Sequence, residues 1–156
     1  RLLADGSLDG VRIDHPDGLY DPQQYFRRLQ RQYLLAVAHH EWQADPATMG
    51  QGWAGVEAEL ADKVDGHIAA EAGPGKWPLY AVAEKILGAA EPLPTEWAVH
   101  GTSGYDYLIA LNGLFADGAA EAAFSRGYRD LLDEYEPFAD EVYRSKRLIV
   151  TTALSS

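Results

Sequence analysis

Apolar residues gather in three short runs along this chain, and between and after those runs they recur at helical spacing. The first run, Val11-Arg12-Ile13, follows Asp9-Gly10 and stops at Asp14. A short apolar run introduced by glycine predicts a buried parallel strand. The second run, Leu79-Tyr80-Ala81-Val82-Ala83, stops at Glu84, and the third is Trp97-Ala98-Val99-His100. After the first run, Asp17-Gly18 predicts a turn. Asp21-Pro22 then predicts a helix start, with an acid at the N-cap and proline at the first helical position. Tyr25, Leu29, Tyr33 and Val37 supply the apolar face of that helix, and Arg27, Arg28 and Arg31 its solvated or partner-facing side.

Residues 39–78 differ in character. Gly50, Gly52 and Gly55 loosen the stretch, Val56, Leu60, Val64 and Ile68 mark an amphipathic helix, and Gly73-Pro74-Gly75 predicts its end. We read 39–78 as an inserted helical and loop excursion within one segment covering 1–156. Glu91-Pro92-Leu93-Pro94 predicts a rigid surface turn. Gly101-Thr102-Ser103-Gly104 opens a helix from Tyr105 to about Phe115. Helical patterns follow through Phe124, Tyr128, Leu131, Leu132 and Tyr135, and again from Phe138 into Arg144-Ser145-Lys146-Arg147. The closing run, Leu148 to Leu154, is β-branched or helix-like. Such alternation predicts an α/β architecture. Three strands cannot close a barrel, so the sheet is either small and open or part of a larger parallel one.

The 156 residues suffice for one domain with a core but fall short of a complete (β/α)₈ barrel, which takes about 250. A formal charge of −11 argues against nucleic acid or an anionic membrane as partner. No cysteine is present, which excludes disulfides and thiolate metal sites and is compatible with a reducing, cytoplasmic setting. No apolar stretch approaches a membrane-spanning length. These features predict a soluble, globular chain. Its start at Arg1 and its apolar close read as those of an excised segment.

Asp14 and Glu84 carry the candidate chemistry. Carboxylates at the C-terminal ends of parallel strands point into a shared site, and a pair of them is what retaining glycosyl transfer needs. The plainer alternatives are a helix-capping or loop acid for Asp14 and a salt-bridged Glu84-Lys85 pair at a strand end. Arg12, two residues before Asp14, lies on the same face of the strand. Its guanidinium would keep Asp14 ionised and oriented, as a nucleophile requires. His15 and Asp17 add polar groups close by. A partly buried Glu84 is expected to have a raised pKa, suiting a proton donor.

Other signals lead nowhere. Gly73-Pro74-Gly75-Lys76 lacks the earlier glycine and following Ser/Thr of a phosphate loop. Gly101-Thr102-Ser103-Gly104 lacks the frame of a nucleophile elbow. His39-His40-Glu41 reads as a frayed helix end rather than metal ligands, since adjacent helical residues point apart. Arg144, Lys146 and Arg147 read as helix-end charge.

The segment Gly10-Val11-Arg12-Ile13-Asp14-His15-Pro16-Asp17-Gly18-Leu19 resembles the strand-four region of the α-amylase superfamily (glycoside hydrolase family 13), in the form used by maltooligosyl trehalose synthases. Val82-Ala83-Glu84-Lys85-Ile86-Leu87 is similar to that family's strand-five region. Trp97-Ala98-Val99-His100-Gly101-Thr102-Ser103-Gly104-Tyr105-Asp106-Tyr107-Leu108 resembles its strand-six segment. The resemblance implies a partial (β/α)₈ TIM-barrel segment, about strands four to six with their helices, plus a helical insertion. It implies Asp14 as nucleophile and Glu84 as general acid/base, with Arg12 positioning Asp14. Substrate contacts would come from Arg12, His15, Asp17, Lys85, Tyr105 and Asp106, although Asp106 reads equally as a helix N-terminal acid. The family's third carboxylate and its strand-three region have no counterpart here.

The implied reaction converts the reducing-end α-1,4 linkage of a maltooligosaccharide into an α,α-1,1 linkage, with no metal and no cofactor. The expected partners are the maltooligosaccharide and the remainder of a parent barrel, or a second copy if the chain is a fragment. The fragment alone is expected to be inactive. Two alternatives stay open: another α-amylase-type glycosidase or transglucosidase, and a non-catalytic folded piece that binds sugar or self-associates. Tyr20, Trp77, Tyr80 and Trp97 are candidate sugar-stacking rings or core aromatics.

Overall fold

The computed structural model describes residues 1–70, 76–88, 90–132 and 135–154. The expected helix stop at Gly73-Pro74-Gly75 lies outside the described residues. The chain divides into two compact units, Arg1–Leu111 and Asn112–Ser156.

In the first unit three strands, β1 (Gly10–Ile13), β2 (Tyr80–Ala83) and β3 (Gly101–Thr102), form a parallel sheet in the order β1-β2-β3. Gly10 pairs with Tyr80, Ile13 with Ala83, and Ala83 with Thr102. Just beyond β1 and β2 the ladder continues, the Glu84 amide donating to the Ile13 carbonyl at 2.8 Å. The Asp14 and Glu84 ends of the two strands are thereby brought level.

The third strand is where the sequence pattern misleads. Trp97, Ala98 and Val99 are buried, but they form a turn in which the Val99 amide donates to the Trp97 carbonyl at 2.8 Å. Pairing begins only with His100, whose amide donates to Ala81 O at 2.8 Å, so the strand falls on Gly101–Thr102. Apolarity reported burial, and burial here belongs to a turn packed on the core.

Helix α1 (Pro22–Ala44) starts as its sequence predicts: Asp21 Oδ1 accepts from the Gln24 amide at 2.8 Å, with Pro22 next. Such a cap contributes about 1 kcal/mol. Its buried residues are Phe26, Gln30 and Leu35, one position round from the expected Tyr25, Leu29, Tyr33 and Val37 face. Tyr25 is exposed, and Leu29 is only partly buried. Gln30 is the reason a purely apolar reading fails. Fully buried, it donates through Nε2 to the carbonyls of Leu79 (2.9 Å) and Ala98 (3.0 Å) and accepts at Oε1 from the Leu79 amide (2.8 Å). One amide side chain thus satisfies three backbone groups of the segments that lead into β2 and β3.

Helix α2 (Trp53–Ala70) packs against α1, with Val64 and Ile68 buried and Val56 and Leu60 half-buried, as the four-residue spacing predicts. Arg31 of α1 holds Asp65 of α2 through Nε at 2.7 Å. The stretch from residue 39 does not begin with a frayed end. His39 lies within α1, its ring stacked on Trp53 at 4.6 Å between centroids. The core joins Phe26, Leu35, Val64, Ile68, Trp77, Ala81, Ala83, Trp97 and Val99. Trp77 and Trp97 are therefore core residues, whereas Tyr20 and Tyr80 are exposed. Helix α3 (Tyr105–Gly113) closes the first unit and continues two residues past its last residue, Leu111.

The second unit holds α4 (Glu121–Leu131) and α5 (Phe138–Thr152). The closing Leu148–Val150 run is helical. The basic Arg144, Lys146 and Arg147 sit inside α5, more than a turn before its end, rather than capping it. Arg144 is occupied with Glu141 and with Glu136, the latter at 3.2 Å.

Candidate active site

The site lies at the C-terminal ends of the strands. Arg12 projects from β1 on the face opposite the core, its side chain half-exposed. Its Nη2 meets Asp14 Oδ1 and Glu84 Oε1, each at 2.8 Å. Arg12 thereby brings the two carboxyl groups together on one nitrogen. The expected pairing of Asp14 with Arg12 is present, and Arg12 holds Glu84 as well.

Glu84 is the better enclosed of the two acids, its side chain 25% exposed against 76% for Asp14. The Tyr105 hydroxyl donates to its Oε1 at 3.2 Å, and the His15 amide donates to its Oε2 at 3.2 Å. That amide is aimed by an unusual backbone. His15 has φ 47° and ψ 48°, left-handed for a residue with a side chain, and it leads into the single turn Pro16–Gly18 anchored by buried Pro16. Gly18 has no side chain for a reason: a Cβ there would stand 2.7 Å from the His15 ring.

These contacts set the electrostatics. The Glu84 carboxyl is held below its usual range, chiefly by the adjoining Asp14 side chain, then by the His15 amide, the Tyr105 hydroxyl and the Arg12 charge, which outweigh the opposing effect of burial. This corrects the expected raised pKa. A strand-end glutamate beside apolar residues suggested desolvation, but the enclosure is built from donors, and donors favour the charged form.

Asp17 and Lys85 form a neighbouring cluster. His15 Nδ1 lies 3.3 Å from Asp17 Oδ1, and Lys85 Nζ lies 3.5 Å from Asp17 Oδ2 and 2.8 Å from Glu91 Oε1. Lys85 is held above its usual pKa, first by the hydrogen bond to Glu91. Its side chain, 12% exposed, ties the turn after β1 to the loop after β2. Glu91 is a participant that sequence reasoning missed, because nothing in a Glu-Pro-Leu-Pro turn marks it as a partner for Lys85. Asp106 stands apart from the carboxylate pair. It accepts from the Thr102 hydroxyl, which holds its carboxyl below the usual range, so it behaves as the acid at the start of α3. An open hollow of about 380 Å³ lined by Arg12, Ser103, Gly104, Tyr105 and Leu108 adjoins the site.

Among known proteins, the chain is 30% identical over 122 residues, 78% of its length, to proteins named "Putative maltooligosyl trehalose synthase" from two strains of Mycobacterium tuberculosis. It spans 10% of the length of these curated relatives. This is a distant relationship. No family model and no solved structure matches the chain.

Proposed function

We propose that this chain is the catalytic-core segment of a maltooligosyl trehalose synthase, a piece of a (β/α)₈ barrel bearing the nucleophile Asp14 and the acid/base Glu84. The observation that carries the reading is Arg12, whose one nitrogen reaches both carboxylates at 2.8 Å across two adjacent parallel strands. The distant likeness to proteins named for that activity supports it.

In this reaction Asp14 attacks the anomeric carbon of the penultimate sugar. As the C–O bond breaks, the Glu84 proton passes to the departing oxygen, and the O–H electron pair stays on the Glu84 carboxylate. The freed glucose turns, and its anomeric hydroxyl attacks the anomeric carbon of the glycosyl ester while Glu84 takes the proton back; the C–O bond to Asp14 breaks and its carboxylate leaves, so configuration is retained through two displacements. Retaining enzymes hold such carboxyls about 5–5.5 Å apart. Glu84 is held below its usual range in the free site, and desolvation by an entering sugar raises a carboxyl pKa, so Glu84 gains the proton it donates as the sugar displaces water. The reaction needs neither metal nor cofactor, and we place it in the cytoplasm with a maltooligosaccharide as substrate.

The test is made in a longer protein containing this segment. Asp14→Asn and Glu84→Gln are each expected to abolish formation of a non-reducing product from maltopentaose. Near-normal turnover in either variant would sink the assignment. The chain by itself is expected to give no such product.

A second reading concerns the chain in isolation. Tyr107, Leu108 and Ile109 on α3 and Tyr80 on the sheet are exposed. Surfaces of this kind favour self-association, which sedimentation at increasing concentration would register as rising mass.

A further inference from the structure

We propose that Tyr105 is a positioning residue for Glu84, its hydroxyl holding the carboxyl at the end of β2 in the orientation from which a proton is given and taken back. The catalytic meaning of this rests on the acid/base role argued above. The contact itself does not.

Glu84 stands between two neighbours, because β2 is the central strand of the order β1-β2-β3. From the β1 side come the Arg12 guanidinium, the Asp14 carboxyl and the His15 amide. From the β3 side comes Tyr105, delivered by Gly104, whose φ of +102° turns the chain sharply into α3. A residue with a side chain adopts that φ only under strain. Lys85, next to Glu84 in the chain, is directed away to Asp17 and Glu91. Among the described residues the ion pair of Glu84, with Arg12, draws it toward β1, and the Tyr105 hydroxyl opposes that pull from the β3 side.

That asymmetry matters once chemistry starts. Formation of a glycosyl ester on Asp14 consumes its charge and dissolves its ion pair with Arg12. Arg12 then has Glu84 as its remaining carboxylate partner in the pair. The Tyr105 contact comes from the other strand and depends on none of this. It keeps the Glu84 carboxyl in place for the second proton transfer, when the returning hydroxyl must be met. Tyr105 also lines the adjoining hollow, so its ring borders the space a sugar would enter.

Two variants test this in the chain as it stands: Tyr105→Phe, and replacement of Tyr105 by a fluorotyrosine, whose hydroxyl is a stronger donor. The readout is the Glu84 side-chain carboxyl resonance followed through an acid titration by isotope-edited NMR. A hydrogen bond to the charged form lowers a carboxyl pKa. The Glu84 midpoint is therefore expected to move up in the phenylalanine variant and down in the fluorotyrosine variant. A midpoint unmoved in both overturns the proposal.

In an active, longer protein, Tyr105→Phe is expected to move the Glu84 limb of the kcat/KM profile upward and to lower kcat more than it raises KM. A rise in KM with an unmoved limb would make Tyr105 a sugar contact only and overturn the positioning role. Shifted resonances in a protein that forms no trehalose end would support the Tyr105 contact while counting against the proposed reaction.

Discussion

Gln30 and Leu79 are joined twice: the Gln30 amide donates to the Leu79 carbonyl at 2.9 Å, and the Leu79 amide donates back to Gln30 Oε1 at 2.8 Å. A third bond, to the Ala98 carbonyl at 3.0 Å, uses the second Nε2 hydrogen. Gln30→Leu keeps the volume but leaves three buried backbone groups without partners. Each costs about 1–3 kcal/mol, so the loss of stability is expected to be about 3 kcal/mol or more. Urea unfolding is the measurement, read as a lower midpoint at unchanged slope. A loss below about 1 kcal/mol would mean that water replaces Gln30 at no great cost.

Gly10 faces Tyr80 across the first strand pair. A Cβ at position 10 would stand 2.6 Å from the Tyr80 carbonyl oxygen and 2.7 Å from its ring. Gly10→Ala is expected to cost about 1–3 kcal/mol, as overpacking does. Because one of the obstacles is backbone, adding Tyr80→Ala is not expected to restore stability. Full recovery in the double variant would show that the ring alone set the limit.

The loop clasp gives stability a definite pH dependence. Glu91 is lowered, first by its hydrogen bond to Lys85 and then by the Gly88 amide, against burial. A carboxyl with a depressed folded pKa contributes stability that is present above its unfolded pKa and lost as pH falls through the folded value. Lys85 is raised, so its contribution is present below its unfolded pKa and lost as pH rises through the folded one. Unfolding measured across pH is expected to weaken below the ordinary glutamate value of 4.5 and again above the ordinary lysine value of 10.5. Glu91→Gln is expected to flatten both flanks. Flanks as steep as before would place the dependence in other groups.

His15 offers a backbone test. Its left-handed conformation suits glycine better than any residue with a Cβ. His15→Gly is therefore expected to fold at least as stably as the parent, while His15→Val is expected to lose about 1 kcal/mol or more through strain. Thermal unfolding of the pair decides it, and a valine variant as stable as the glycine one would remove strain as an explanation.

Much of this was legible in the residues, for reasons that also show where legibility stops. Asp21-Pro22 announced the start of α1 because capping is local. Val56, Leu60, Val64 and Ile68 marked α2 because one face of it meets the core. Arg12 was tied to Asp14 by the two-residue period of a strand. What the sequence could not show depends on chains meeting at a distance. Gln30 is polar, yet it belongs to the core because two remote carbonyls and an amide arrive there. The strand expected at Trp97–His100 fell on Gly101–Thr102, since apolar side chains cannot say whether their backbone pairs or turns. The direction of the Glu84 shift was misjudged because its donors come from β1, the turn after it and α3.

The left-handed turn at His15 has one more consequence. By pointing its amide at Glu84 Oε2, the backbone carries a built-in reporter of that oxygen's charge. The His15 amide proton will resonate downfield while Glu84 is ionised and move upfield as it takes a proton, so one peak in a simple nitrogen–proton spectrum can record the acid's state during a titration or as a sugar enters.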